Sequence, residues 1–148
     1  MAEVMIFDWK RTLYDPEQRV LMDGSLEVLQ HLVTGGLKMY LVGKDSVGDM
    51  PIETQRLGVA GFFHEIHFVL GAKTDDDIGQ FINRDFPQGS VVVGDRVRSE
   101  IAVGNRLGAK TVWLEKGRFA SERPLLPDQV PDYTIADIIE LIPLSETL

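Results

Sequence analysis

The chain has 148 residues, 44% hydrophobic and 26% charged, with 23 acidic against 15 basic side chains, a net charge of -8 and no cysteine. That length and balance predict one globular domain over residues 1–148. The acidic surplus argues against nonspecific binding to nucleic acid or anionic membrane, and the missing thiols exclude disulfides, thiolate nucleophiles and cysteine-held metals. Glu3 and Asp8 interrupt the N-terminal stretch, its apolar run is short and no basic segment precedes it, so it does not read as a signal peptide. No segment approaches the roughly 18 apolar residues of a membrane helix. The expectation is a cytoplasmic protein.

Val4–Phe7 is a short apolar run that predicts a buried strand, and Lys10–Asp23 is polar and turn-rich. Ser25 reads as an N-cap ahead of Leu26, Leu29, Leu32 and Val33 at helical spacing, with Gly35-Gly36 as the stop. Lys38–Val42 predicts a second strand, and Asp49 and Pro51 open a short helix that ends at Leu57-Gly58. His67–Leu70 predicts a third strand. Thr74 and Asp77 form a capping-box pattern before Ile78, Phe81 and Ile82. Ser90–Val93 is apolar throughout, as in a strand covered on both faces. A helix from Ser99 and Glu100 to Leu107-Gly108, a strand at Lys110–Leu114, a loop at Gly117–Pro131, a strand at Asp132–Ile135 and a helix at Ala136–Ile142, stopped by Pro143, complete the chain. Repeated strand–helix units predict an α/β fold, a three-layer Rossmann-like parallel sheet with helices on both faces.

Ligands in such sheets bind beyond the carboxyl ends of the strands. Asp8, Gly43, Lys73 and Asp95 all fall at or just past predicted strand ends. A carboxylate at such a tip can act as a nucleophile or hold a hard cation through oxygen, although it can equally cap a turn. Asp95 follows Gly94, which lets the backbone turn tightly, and is placed to share a cation with Asp8. Glu100 suits a metal-supporting carboxylate or a simple helix-dipole charge. Lys73, between two acidic tips, can neutralise a phosphoryl group or hold two carboxylates together. His64 and His67 lie in an aromatic strand-like stretch and read as structural, as do Phe62-Phe63, Trp9 and Trp113. Arg96 and Arg98 read as a solvated helix start, and Asp75-Asp76-Asp77 as helix N-terminal charge.

Taken in order, these pieces resemble the haloacid dehalogenase (HAD) superfamily of hydrolases. Phe7-Asp8-Trp9-Lys10-Arg11-Thr12-Leu13-Tyr14-Asp15 resembles the first motif, DxDGTLxD; Lys73 in Gly71-Ala72-Lys73 resembles the third-motif lysine. Val91-Val92-Val93-Gly94-Asp95 through Glu100 resembles the fourth motif, GDxxxxD, with Glu in the last place. The continuation Gly104 to Leu114, Gly117, and Pro131-Asp132-Tyr133-Thr134-Ile135 are also family-like. The resemblance implies that Asp8 accepts the phosphoryl group, and that Asp8, Asp95 and the Lys10 main-chain carbonyl hold Mg²⁺. It further implies that Lys73 balances charge, that Glu100 supports the metal's ligands, and that Thr12, Gly43, Lys44 and Ser46 surround the phosphate. Both intervals that usually carry a lid are filled by the sheet's own connections, so a member with a minimal cap or none is expected.

Three positions depart from the family pattern. Lys10 stands where phosphatases of the family place an aspartate acid/base, and an ammonium cannot take that role at neutral pH without a large pKa fall. Arg11 replaces the glycine before Thr12, and Gly43 replaces a phosphate-binding Ser or Thr, for which Ser46 is the nearest substitute. Two readings follow: a Mg²⁺-dependent phosphatase with degenerate motifs, with Lys10 at the site in a charge-stabilising role, or a HAD-fold module that binds a phosphorylated ligand or a protein partner without turnover. In the second, Lys10 pairs with Asp8 or Asp95 in the metal's place. Carbon–halogen or carbon–phosphorus cleavage is a third, weaker option. The expected partner is a small phosphorylated substrate or a phosphorylated macromolecule, with neither nucleic acid nor membrane, and a homo-oligomer is compatible with all three.

Overall fold

In the computed structural model, which describes residues 1–148, the strands are β1 (Val4–Phe7), β2 (Tyr14–Asp15), β3 (Val20–Leu21), β4 (Lys38–Lys44), β5 (Glu65–Val69), β6 (Ser90–Gly94), β7 (Lys110–Leu114) and β8 (Tyr133–Ile135). The helices are α1 (Ser25–Thr34), α2 (Asp49–Arg56), α3 (Asp75–Gly79), α4 (Ala102–Arg106) and α5 (Leu141–Ser145). Six strands form one parallel sheet in the order β5-β4-β1-β6-β7-β8, while β2 and β3 pair as a separate antiparallel ribbon. From β1 the chain runs outward to β4 and β5, then returns to β6 on the other side of β1. The strand order therefore reverses between β1 and β6, and a crevice opens beyond their carboxyl ends.

Alternation along each strand feeds two cores. Met5 and Phe7 of β1, Met39 and Leu41 of β4 and Val91 and Val93 of β6 pack with Leu29, Leu32 and Leu141 on one face. Ile6, Val42 and Val92 face the other way, onto Ile78, Ile82 and Val103. Both faces are covered, as the apolar runs predict. No helix is long and apolar enough to cross a membrane.

Local departures from the predicted elements have local causes. Lys10–Asp23 contains the β2–β3 ribbon, two residues per strand, too short for alternation to reveal. Ser25 is not the N-cap: Gly24 takes that position with φ 90°, and the Ser25 hydroxyl donates instead to the Leu13 carbonyl at 3.0 Å. Leu26 and Val33 are exposed, and Val28 takes their place on the buried face with Leu29 and Leu32. The strands β4, β5 and β6 begin or end a residue or two beyond the apolar runs, because parallel pairing carries the backbone past them. The helix predicted from Ser99 opens with a π-helical turn, Val97–Ile101, in which Ser99 leaves helical geometry (φ -123°, ψ -105°). Pro143 does not stop the last helix; it sits in the first turn of α5, where no amide hydrogen is required, after a 3₁₀ turn at Ile138–Glu140.

Candidate active site

Asp8 and Asp95 each follow the last residue of a central strand. Phe7 is paired with Val93, and the Asp8 amide donates to the Val93 carbonyl at 2.9 Å, which sets the two acids side by side at the crevice. Lys73 reaches in from the loop between β5 and α3, whose start is pinned by the Thr74–Asp77 capping box. Its Nζ donates to Asp8 Oδ1 at 2.6 Å and to Glu100 Oε2 at 3.4 Å. The Thr12 hydroxyl donates to the second Asp8 oxygen at 3.2 Å, from a fully buried position behind it. Glu100 Oε1 accepts the amides of Asp95 and Arg96 at 3.1 and 3.2 Å, so this carboxylate stiffens the loop that carries Asp95. A Cβ at Gly94 would lie 2.1 Å from Glu100 Cγ, so only glycine lets the backbone approach so closely. The Trp113 indole N–H donates to the Asp95 carbonyl at 2.9 Å and locks the loop from below.

Burial pushes the Asp95 carboxyl up to about 9, and the negative charges of Asp8 and Glu100 add to the effect. Burial raises Glu100 as well, partly opposed by Lys73. For Lys73 burial works downward, but Asp8 and Glu100 outweigh it and hold the ammonium protonated well above its ordinary value. Carboxylate oxygens of Asp8, Asp95 and Glu100 lie within 4.8 Å of one another, and Asp95 Oδ2 is buried without a hydrogen-bond partner. An all-oxygen donor set with an orphaned buried oxygen fits a hard divalent cation of the Mg²⁺ class.

The cavity above these groups measures about 430 Å³ and is lined by Asp8, Lys10, Lys44, Ser46, Lys73, Asp95 and Glu100 among others. Two residues expected at the phosphate lie elsewhere. Thr12 acts through Asp8. Gly43 is packed against α2, where a Cβ would lie 2.8 Å from Met50 Sδ, so the room for a hydroxyl side chain is taken by the core. Lys10 pairs with neither Asp8 nor Asp95; the ammonium that meets Asp8 is that of Lys73, so the ion pair expected of a metal substitute is not formed. His64 meets Tyr40 edge-on and His67 bonds Asp77 at 3.0 Å, both away from the cavity.

Several residues that shape the site carry no local signal. Arg118 and Phe119 line the cavity from a 3₁₀ turn inside the stretch predicted as loop, and Arg96, its side chain still 42% exposed, lies beside them with its guanidinium 4.2 Å above the Phe119 ring. Asp45 is buried and accepts the amides of Gly48, Asp49 and Met50 at 2.9–3.0 Å, which fixes the loop that follows Lys44 and bears Ser46. Its pattern, an acid ahead of a Gly-Asp helix start, was the available clue.

Over residues 60–141 the chain matches the family model described as HAD-hydrolase-like. A glyceraldehyde 3-phosphate phosphatase of Methanopyrus kandleri is 33% identical over 99 residues, 63% of this chain and 42% of that protein. A glyceraldehyde 3-phosphate phosphatase of Pyrococcus furiosus is 35% identical over 60 residues, 40% of this chain and 25% of that protein. The chain thus spans less than half the length of these curated relatives. Among solved structures, a protein from Listeria monocytogenes serotype 4b superposes with a TM-score of 0.76 at 21% identity over the whole of both chains. CbbY from Rhodobacter sphaeroides in complex with phosphate gives 0.74 at 12% identity, covering 95% of this chain and 96% of its own. These structures share the six-stranded parallel architecture, and the family match extends over more than half of the chain, taking in β6 and the Asp95 loop. The chain belongs to the HAD-like hydrolase family.

Proposed function

We propose that the protein is a Mg²⁺-dependent phosphate-ester hydrolase in which Asp8 is the nucleophile, and that residues 1–148 act as one domain with no sizeable cap. The observation that carries this reading is the meeting of Asp8, Lys73 and the orphaned Asp95 oxygen in one cavity. A purely structural cluster gains nothing from an unsatisfied buried acid. The curated relatives, both phosphatases, support the same class.

Asp8, Asp95 and the Lys10 main-chain carbonyl would hold the cation, with Glu100 bracing the Asp95 loop. When bound, Mg²⁺ supplies charge neutralisation that lets an anionic phosphoryl group approach a carboxylate. Lys73 keeps one Asp8 oxygen oriented, and Thr12 positions the other. An Asp8 oxygen attacks phosphorus as the ester oxygen departs with a proton from solvent. Water then attacks the aspartyl phosphate, releases inorganic phosphate and restores the carboxylate. Lys10 lines the cavity free of any ion pair and offers its charge to the departing oxygen. A carboxyl acid/base is missing from its place, so the reaction runs without the ~10²–10⁴-fold help that such a group gives.

The test is release of phosphate from a panel of esters with Mg²⁺, for wild type beside Asp8→Asn. The expected result is metal-dependent turnover that Asp8→Asn lowers by roughly 10³-fold or more. Equal rates for the two proteins reject the catalytic reading. The second reading, a module that binds phosphorylated ligands without turnover, draws on Gly43, where packing leaves no space for a phosphate-binding hydroxyl. Equal rates combined with saturable phosphate-ester binding would establish it.

A further inference from the structure

We propose that the cavity selects small phosphate esters that carry a second anionic group, a carboxylate, and that Lys44 and Arg118 receive that group at the rim. This rests on the hydrolase reading of the same site. In a chain of net charge -8, the cavity reverses sign. It is lined by the cations Lys10, Arg11, Lys44, Lys73, Arg96 and Arg118 against only three acids, Asp8, Asp95 and Glu100.

Half of those cations are already committed within the protein. Lys73 holds Asp8 and Glu100, Arg11 pairs with Glu17 at 3.0 Å, and Arg96 pairs with Glu122 at 3.1 Å. Lys10, Lys44 and Arg118 have no acidic partner. Deep in the cavity Lys73 and the one divalent cation that the donor set fits would together balance the three carboxylates. A phosphate monoester dianion then meets three free positive charges, one more than it can neutralise. A carboxylate on the same substrate completes the balance. The cavity volume of about 430 Å³ suits such a compact ester rather than a macromolecule.

The rim is held in place. Gly117, at φ 77°, turns the chain so that Arg118 and Phe119 face the cavity. The Phe119 ring carries Arg96 at 4.2 Å and Arg118 at 5.5 Å, which gathers the guanidinium groups on one wall. Exposed cations are ordinarily solvated one by one. Here Lys44, at the end of β4, and Arg118, from the 3₁₀ turn after β7, arrive at one opening.

The experiment compares 3-phosphoglycerate with glycerol 3-phosphate, which differ in carboxylate against hydroxymethyl. Two readouts are used: specificity constants with Mg²⁺, and calorimetric affinity of the Asp8→Asn protein for each ester. Wild type is expected to favour 3-phosphoglycerate by about five- to tenfold, less as salt is raised. Arg118→Ala is expected to bring the ratio of the two specificity constants close to one, and Arg118→Lys to keep most of it. Equal handling of both esters by wild type overturns the proposal while leaving the hydrolase reading intact. A preference that survives Arg118→Ala together with Lys44→Gln overturns the assignment to these residues. If neither these esters nor any other of the panel is hydrolysed faster by wild type than by Asp8→Asn, the hydrolase reading falls. The calorimetric ratio then decides the charge proposal by itself, a ratio near one overturning it and a five- to tenfold ratio upholding it.

Discussion

Two of the buried carboxylate centres in this molecule stand in contrast, one complete and one incomplete. Glu53 on α2 accepts the Tyr14 hydroxyl at 2.6 Å, two contacts from Arg56 at 2.8 and 2.9 Å, and two from Arg19 at 3.0 and 3.4 Å. Those donors, Arg56 first, hold it well below the usual carboxylate range. It ties the β2–β3 ribbon to α2 and has nothing left to offer a ligand. Asp95 has the opposite character: it is buried, pushed up to about 9, and keeps one oxygen without a partner. A buried acid with all its bonds made stabilises structure; a buried acid with a bond missing is held there by the rest of the fold and stabilises the state that brings a cation.

The contrast can be sharpened by adding a carboxylate to the incomplete centre. Lys10→Asp restores an acid at the departing oxygen and is expected to raise turnover of phosphate esters by roughly 10²-fold, measured at saturating Mg²⁺. No gain would mean that the open centre is not limited by proton transfer. Asp95→Asn is expected to stabilise the metal-free protein by about 1–3 kcal/mol, because without a cation the buried Asp95 carboxyl must take up a proton on folding and a neutral amide need not. It is also expected to abolish the rise in melting temperature that Mg²⁺ gives wild type. Thermal denaturation with and without the cation reads both effects, and an unchanged Mg²⁺ response would remove Asp95 from the metal's ligands.

The complete centre should respond in the other sense. Glu53→Gln is expected to lower the melting temperature near neutral pH with no change in Mg²⁺ response. Because the folded protein holds Glu53 below its ordinary pKa, its contribution is whole above the unfolded value of about 4.3. It fades as pH falls through that value toward the folded one. The gap between wild type and variant should therefore be full at pH 7 and narrow below about pH 4, as followed by denaturant titrations across pH. The smallest effect lies between the two centres. Arg11 sits at φ 63°, in the left-handed region that favours glycine, and Arg11→Gly is expected to stabilise by about 1 kcal/mol or less, the relief of strain being offset in part by loss of the Glu17 pair.

Particular residues show how far local pattern reached. Asp8 was legible because four apolar residues before it could only be a covered strand, and Asp95 because Val91–Val93 repeats that form and ends in glycine. Lys73 was legible only through its position between the two acidic strand tips. The π-helical turn around Ser99 was not, since its pattern of acids and apolar residues also fits an ordinary helix start. Arg118 and Phe119 were illegible for a different reason: their Pro- and charge-rich loop is held at the site by distant partners, Arg96 and Arg98 bonding Glu122 and Arg123, and Arg123 lying over the Trp113 ring of β7. Glu53 carried no signal of its own, since Tyr14 and Arg19 reach it from a ribbon too brief to predict and only Arg56 is a neighbour on its own helix.

Residue order alone settles the alternation of strand and helix, the two-sided burial of the sheet and the acids at its tips, because these depend on neighbours within a few positions and on which side chains water rejects. Spatial folding alone settles which acid is saturated and which is left open, which cations find partners and which face the cavity. Those outcomes depend on contacts between segments far apart in the chain, and a one-residue change in register or a missing methyl group redistributes them.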